Sequence, residues 1–324
     1  MNPMSEGPVV AIDLGGTKIQ SLVVDSNGRV LGEDHRPTLA AEGLDAVVQR
    51  MSQSGSDAVD QSGLELDQLT ALGISAPGPC DFERGVLLQA PNLPGWNTVP
   101  LATLLQEQLG PPAFLENDAN AAALGEARYG AGQGARHLIY VTVSTGIGGG
   151  LILDGQIYRG ADGAAGEIGH VTVDEQGPLH SCGMNGCLEV MASGTAIARM
   201  AHEAVEAGRS QALADLKSAA RGELSAVQVK EATEAGDPVA AEILATAGHY
   251  LGVGLAGLIN IFNPNVIVIG GGVTHIGPRL LNPAFALAKS RAFRLPAQTV
   301  RFRMAALEGR AEALGAAALA RESV

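Results

Sequence analysis

Short apolar runs broken by glycine open the chain. Residues 9–13 are apolar up to Asp13 and lead into Leu14-Gly15-Gly16-Thr17-Lys18. A second run covers 19–25, the turn Ser26-Asn27-Gly28 follows, and a third run covers 29–33. This pattern predicts an antiparallel meander. A helix is expected over 44–59, a strand over 72–75 ended by Ala76-Pro77-Gly78-Pro79, a helix over 101–109, a strand over 113–115 and an Ala-rich helix over 118–129. The pattern then repeats. An apolar strand at 137–143 meets a Gly-rich loop at 144–150, a strand at 151–153, the turn Asp154-Gly155 and a strand at 156–158. Helices are expected at 195–208, 225–235 and 238–261, a strand at 265–269 running into Gly270-Gly271-Gly272, a helix at 278–292, a strand at 299–305 and a closing helix at 307–321. Residues 130–134 and 208–221 read as loops. Two meanders, each heading an alternation of strands and helices, predict a duplicated chain of two α/β domains with mixed sheets and a ligand cleft between them.

Composition narrows the reading. Hydrophobic residues make up 46% of the 324 but aromatics only 3%, so the cores must be filled by Ala, Val, Leu and Ile. The formal net charge of −13 argues against nucleic acid or an anionic membrane as partner. Three cysteines suit a reducing compartment without a disulfide framework, and Cys80 reads as a small buried hydrophobe. No basic, apolar leader is seen at the start and no stretch reads as a membrane span, so a cytoplasmic protein is expected.

Candidate chemistry falls in three places. His170, His180, Cys182 and Cys187 place two imidazoles and two thiols within one stretch, with Gly183 and Gly186 allowing tight turns. That is the donor set of a closed tetrahedral zinc site; the plainer alternative is a surface loop. Asp13, Gly15, Gly16, Thr17 and Lys18 form a loop with exposed backbone N–H groups, a hydroxyl and a cation, suited to phosphate but lacking Walker A spacing. Thr145 and Gly146 repeat the device, and Gly271 and Gly272 follow a buried strand. The dinucleotide-like Gly252-Val-Gly-Leu-Ala-Gly257 lies inside a predicted helix and is set aside. Glu116-Asn117-Asp118 puts a carboxylate at a strand–helix junction, where Asp118 reads either as the helix N-cap or as a general base. Asn117 and the Asn92 of a rigid Pro91–Trp96 loop could reach the same ligand.

These motifs together, Asp13-Leu-Gly-Gly-Thr-Lys, Pro91-Asn-Leu-Pro-Gly-Trp, Glu116-Asn-Asp-Ala-Asn-Ala-Ala-Ala, Ser144-Thr-Gly-Ile-Gly-Gly-Gly, Gly166-Glu-Ile-Gly-His and Cys182-Gly-x-x-Gly-Cys-Leu-Glu189, resemble the ROK family of bacterial sugar kinases and repressors. The resemblance is closest to its glucokinases. It implies an actin/hexokinase/Hsp70-like (ribonuclease H-like) fold, with a smaller domain at 1–118 plus 306–324 and a larger one at 119–305 carrying the zinc knuckle. It implies ATP-dependent phosphorylation of a hexose 6-hydroxyl with magnesium, and a homodimer or homotetramer. Asp118 would be the base. Asn92, Asn117, Glu167, His170 and Glu189 would hold the other hydroxyls. Asp13, Gly15, Gly16, Thr17, Lys18, Thr145, Gly146, Gly271 and Gly272 would contact the nucleotide. The family's usual Cys-x-Cys is here His180-x-Cys182, so a site with two His and two Cys is expected. Replacing His180 with Cys is expected to keep zinc and activity, and metal loss to touch sugar binding before the nucleotide loops. Other hexose kinases, a polyphosphate donor and a sugar-responsive repressor are the alternatives. Only 12 residues precede Asp13 and no basic recognition helix is visible, which disfavours the repressor.

Overall fold

The structure, a computed structural model, describes residues 7–90 and 93–324. In chain order the strands are β1 (Val9–Leu14), β2 (Lys18–Val24), β3 (Val30–Pro37), β4 (Ala71–Ala76), β5 (Cys80–Asp81), β6 (Val86–Gln89), β7 (Asn97–Val99), β8 (Ala113–Asn117), β9 (Leu138–Val143), β10 (Ile147–Leu153), β11 (Gln156–Ile157), β12 (Val266–Gly270) and β13 (Arg301–Met304). The helices are α1 (Leu44–Ser62), α2 (Leu101–Leu109), α3 (Asp118–Arg128), α4 (Leu188–Ala192), α5 (Gly194–Glu206), α6 (Gln211–Ala219), α7 (Ala226–Glu234), α8 (Pro238–Phe262), α9 (Pro278–Arg291), α10 (Arg294–Thr299) and α11 (Ala311–Ser323).

The duplication is visible in the sheets. One five-stranded sheet runs β3-β2-β1-β4-β8 and the other β11-β10-β9-β12-β13, the same path through two sets of strands. In the first, β1 pairs antiparallel with β2 and parallel with β4, and β4 pairs parallel with β8, so the sheet is mixed. A third sheet, β5-β6-β7, was not expected from sequence because its strands are only two to four residues long. Two packing units result. One comprises residues up to Tyr140 with Gly150–Gly166 and Ala305–Val324; the other comprises Val141–Gly149 and Glu167–Met304. Helix α3, placed by sequence in the larger domain, packs in the first unit.

β1 is apolar at almost every position because both faces of its sheet are covered. Val10, Ile12 and Leu14 face a core built with Val47, Met51, Leu101 and Leu105 of α1 and α2. Val9 and Ala11 face the opposite way, onto Ala313, Ala316, Ala317 and Ala320 of α11. Small residues let α11 come close. A Cβ at Gly315 would lie 1.7 Å from the Ala121 carbonyl oxygen of α3, and one at Gly125 would lie 2.3 Å from that of Ala311.

In the second unit α8 is 25 residues long and apolar enough to cross a membrane by length and composition, contrary to the expectation that no stretch would be. It is a core helix: 61% of its most apolar window is buried by the protein itself. The Gly252–Gly257 motif lies inside it. There a Cβ at Gly252 would meet the Ala284 carbonyl oxygen of α9 at 2.8 Å, so this glycine serves helix packing rather than a nucleotide. Two loop expectations need correction. Residues 208–221 contain α6, capped by Ser210, whose hydroxyl accepts from Leu213 N. The Gly-rich loop at 144–150 shortens to three residues, because 147–150 already belong to β10.

Candidate active site and metal centre

The first unit aligns a row of polar side chains at the carboxyl ends of its parallel strands, the edge where open α/β sheets bind ligands. Strand register sets Asp13 beside Ser75 and Ser75 beside Glu116. Ser75 Oγ donates to Asp13 Oδ1. Burial, with the charges of Glu312 and Asp118 adding to it, pushes Asp13 up to about 7. Asp13 therefore lies in the field of Asp118, another of the expected site residues. The turn after Asp13 is tied down internally. Gly15 N donates to Lys18 O at 2.9 Å, which removes that N–H from the set expected to hold phosphate. Thr38, fully buried, donates its hydroxyl to Gly15 O at 2.7 Å and its N–H to Thr17 O at 2.9 Å. Gly16 and Thr17 remain at the turn's tip with Lys18 exposed behind them.

At the β8–α3 junction the helix cap is Asn117, not Asp118. Asn117 Oδ1 accepts from Ala119 N (2.9 Å) and Asn120 N (3.2 Å), and Nδ2 donates to Gly78 O at 3.2 Å. One Nδ2 hydrogen remains for a ligand. Asp118 is the first helical residue, with Oδ1 accepting from Ala119 N at 2.8 Å. The backbone of Asn117 is held by Glu116, which is 2% exposed. Glu116 accepts from Asn117 N (3.0 Å), Asn120 Nδ2 (3.1 Å) and Arg159 Nε (2.7 Å), and the Arg159 guanidinium also covers the Phe82 ring at 4.5 Å. Cys80, nearby, is buried and raised to about 12, the inert hydrophobe expected. Asn92 lies outside the described residues.

The second unit gathers the remaining candidates. The loop expected to meet the nucleotide is Ser144, Thr145 and Gly146, closed by Ser144 N donating to Gly146 O at 2.8 Å. The start of α5 grips it: Gly194 N donates to Ser144 O (2.8 Å), and Thr195 donates through N (3.2 Å) and Oγ1 (2.8 Å) to Thr145 O. Gly271 sits alongside with φ of 88°, where a Cβ would meet the Val143 carbonyl oxygen at 2.4 Å. The two Gly-rich loops expected to serve one nucleotide are thus neighbours.

Glu189, in the first turn of α4, reaches this loop. Its Oε2 accepts from Ile147 N at 2.7 Å and lies where a Cβ at Gly146 would come within 2.3 Å, which explains the glycine. Its Oε1 lies 2.9 Å from His180 Nε2. The other His180 nitrogen, Nδ1, lies 3.0 Å from Cys182 Sγ, and Cys182 Sγ lies 3.5 Å from Cys187 Sγ. His170 completes the group. One ligand atom from each of His170, His180, Cys182 and Cys187 falls within 4.8 Å of the others. A tetrahedral site with bonds of about 2.0–2.3 Å separates its ligands by roughly 3.3–3.8 Å, so the four residues fit one metal ion after small movements. Turns hold them: His180 N donates to Met184 O (2.8 Å), Gly183 N to His180 O (2.9 Å), and Gly183 and Gly186 have φ of 87° and 58°. Burial and the Cys182 thiol push Cys187 up to about 11, and a bound cation is what would make two adjacent thiolates tolerable. Glu167 is exposed beside His170, with 3.7 Å between its Oε2 and His170 Nε2.

Ser75, Thr38, Arg159, Gly194 and Thr195 escaped the sequence reading. Ser193-Gly194-Thr195 offered a capping signal, but nothing local marks the other three.

The ROK family pattern matches residues 9–323. The glucokinase of Thermotoga maritima is 37% identical over 275 residues, 85% of each chain. The putative xylose repressor of Caldicellulosiruptor sp. is 32% identical over 97% of this chain and 78% of its own. Among solved structures, a ROK family glucokinase from Streptomyces griseus in complex with glucose and AMPPNP superposes with a TM-score of 0.80 at 35% identity, over 98% of this chain and all of that one. The doubled sheet is accordingly the actin/hexokinase-like fold, and the chain belongs to the ROK family.

Proposed function

We propose that this protein is an ATP-dependent sugar kinase that phosphorylates the 6-hydroxyl of a hexose, with glucose the first candidate. The observation that carries the reading is the division of labour at α3. Asn117 supplies the helix cap, so an aspartate at the next position is not required by the helix, and it stands within the field of Asp13 in the phosphate-binding turn. Similarity to glucokinases, one of them solved with glucose and AMPPNP, supports the same assignment.

Asp118 takes the proton of the attacking hydroxyl as its oxygen bonds to the γ-phosphorus. The bond from that phosphorus to the bridging oxygen breaks, giving sugar 6-phosphate and ADP. Asn92, Asn117, Glu167, His170 and Glu189 hold the other hydroxyls. Gly16, Thr17, Lys18, Thr145 and Gly146 hold the phosphates, and Gly271 and Gly272 border the adenosine. Magnesium, when bound with the nucleotide, neutralises phosphate charge, and Asp13 is the carboxylate suited to face it. His170, His180, Cys182 and Cys187 hold a zinc ion in a structural role, since four protein ligands leave no position for a reactive water. The pair of free thiols suits the reducing cytoplasm, and a homodimer or homotetramer is carried over from the family resemblance.

The test is an ADP-release assay across a panel of hexoses with ATP and polyphosphate as donors. Turnover of glucose with ATP well above the rest of the panel supports the proposal. Turnover of another hexose corrects the substrate, and no turnover of any defeats the kinase reading in favour of a sugar-sensing protein.

A further inference from the structure

We propose that His180 is a positioning residue that couples the metal knuckle to the carboxylate of Glu189. The inference rests on the metal reading above and goes beyond it. The two nitrogens of His180 face different partners: Nδ1 points to Cys182 Sγ at 3.0 Å, inside the four-residue donor group, and Nε2 points to Glu189 Oε1 at 2.9 Å. A nitrogen that binds a metal must offer its lone pair, so the imidazole carries its hydrogen on Nε2 and donates it to the carboxylate. The His180 side chain is 10% exposed and that of Glu189 26%, so the pair is shielded from water far more than an open surface pair.

A cysteine in this place would bind metal as well but would have no second atom to offer. The histidine therefore adds a connection that the Cys-x-Cys pattern lacks. Glu189 is gripped at both oxygens, by His180 on Oε1 and by Ile147 N on Oε2 at 2.7 Å. Each oxygen keeps a lone pair for a sugar hydroxyl. The grip fixes the direction of those lone pairs before the sugar arrives. A carboxylate accepting from a metal-bound imidazole strengthens the metal in turn, and the coupling is reciprocal: what Glu189 does for the metal, the metal does for Glu189.

Zinc affinity, measured on the full chain by competition with a chromophoric chelator, tests this without reference to activity. Glu189→Gln is expected to weaken zinc binding about 10–100-fold, although Glu189 is not a ligand. In the His180→Cys background the same change is expected to alter zinc affinity by no more than about twofold, as for independent sites. A second measure is hexose affinity by calorimetry, using the best sugar of the panel. His180→Cys is expected to retain one zinc per chain and to bind that sugar about tenfold more weakly, the loss of one hydrogen bond to a charged group. Equal zinc affinity in wild type and Glu189→Gln overturns the coupling, as does an equal loss in both backgrounds. Unchanged sugar affinity in a zinc-loaded His180→Cys protein overturns it too. A wild-type chain that binds no zinc defeats the metal reading itself, and the coupling with it.

Discussion

Asn117 and Asp118 occupy adjacent positions at the start of α3 and share the N–H of Ala119, but Asn117 alone is the N-cap and also accepts from Asn120 N, which makes their roles separable. Because Asn117 caps the helix, Asp118→Asn is expected to leave the melting temperature nearly unchanged while turnover falls about 10²–10⁴-fold. Near-normal turnover in that variant would remove Asp118 from the chemistry. Asp13 gives a pH signature. Its folded value of about 7 lies above the ordinary 3.8, so between pH 4 and 7 the folded state binds more protons than the unfolded one. The sign follows: the native state loses stability as pH rises through that window, by up to about 4 kcal/mol for this group when ionised. Asp13→Asn keeps an acceptor for Ser75 and removes the charge. Urea midpoints at pH 5 and pH 8 should therefore differ less in the variant than in wild type, with the variant the more stable at pH 8 and inactive. An equal pH response in both would contradict the elevated value. The carboxylate motif itself was legible because it sits in a contiguous run. Its supports were not: Ser75 is 62 residues from Asp13, Arg159 is 43 from Glu116, and Thr38 is 23 from Gly15. Such pairings are set by strand register and loop closure, which no local pattern announces.

At the level of elements, glycine marks where helices touch and where they do not. Gly315 of α11 would place a Cβ 1.7 Å from a backbone oxygen of α3, whereas Gly257 of α8 would place one in open space. Alanine gains up to about 1 kcal/mol over glycine in a helix, but forcing a methyl into a packed backbone contact costs about 1–3 kcal/mol. Gly315→Ala is thus expected to be destabilising and Gly257→Ala stabilising, read from thermal midpoints. The opposite order would mean that α11 and α3 have room between them. The knuckle gives a second test. His180→Ala is expected to lose metal affinity on elemental analysis of tag-free protein, and full metal content would exclude His180 as a ligand. The proposed coupling expects His180→Cys to keep zinc but bind sugar more weakly, where the family resemblance alone implies that zinc and activity are both kept. Metal loss should also be felt at the Ser144–Gly146 loop, since Glu189 holds Ile147 N. The long elements with strong periodicity, α1, α2 and α8, fall close to where sequence places them, and the strands of both meanders are present, although β3 and β10 are longer than expected. α6 was missed because Gly208 and Gly222 flank a polar segment that resembles a loop. The strands β5 to β7 were missed because so few residues carry no period.

For the molecule as a whole, a ligand that binds only the folded chain stabilises it by mass action. A hexose at 100 times its dissociation constant is expected to add about 2.7 kcal/mol, and sugars that are not substrates should leave the melting temperature unchanged. A panel read by melting temperature should therefore rank the sugars as the ADP-release assay does, and conflicting orders would separate binding from turnover. The repeated sheet path was legible at this scale, because two meanders followed by Gly-rich turns recur in the sequence. The membership of α3 in the first unit was not, because it depends on the approach of α11 from the far end of the chain.

That approach has a consequence for how the protein comes into being. One face of the β3-β2-β1-β4-β8 sheet, with Val9, Ala11, Leu22 and Val24, is covered by α11, which is made long after those strands. β1 and β2 precede α11 and must wait for the whole intervening chain before their second face is closed. At about 5–20 residues per second that interval lasts some tens of seconds. During it a nascent sheet presents an apolar surface to the cell, and chaperones that hold such surfaces should associate with the growing chain until α11 emerges. A chain stalled before residue 311 should remain bound to them, and one released there should aggregate rather than fold.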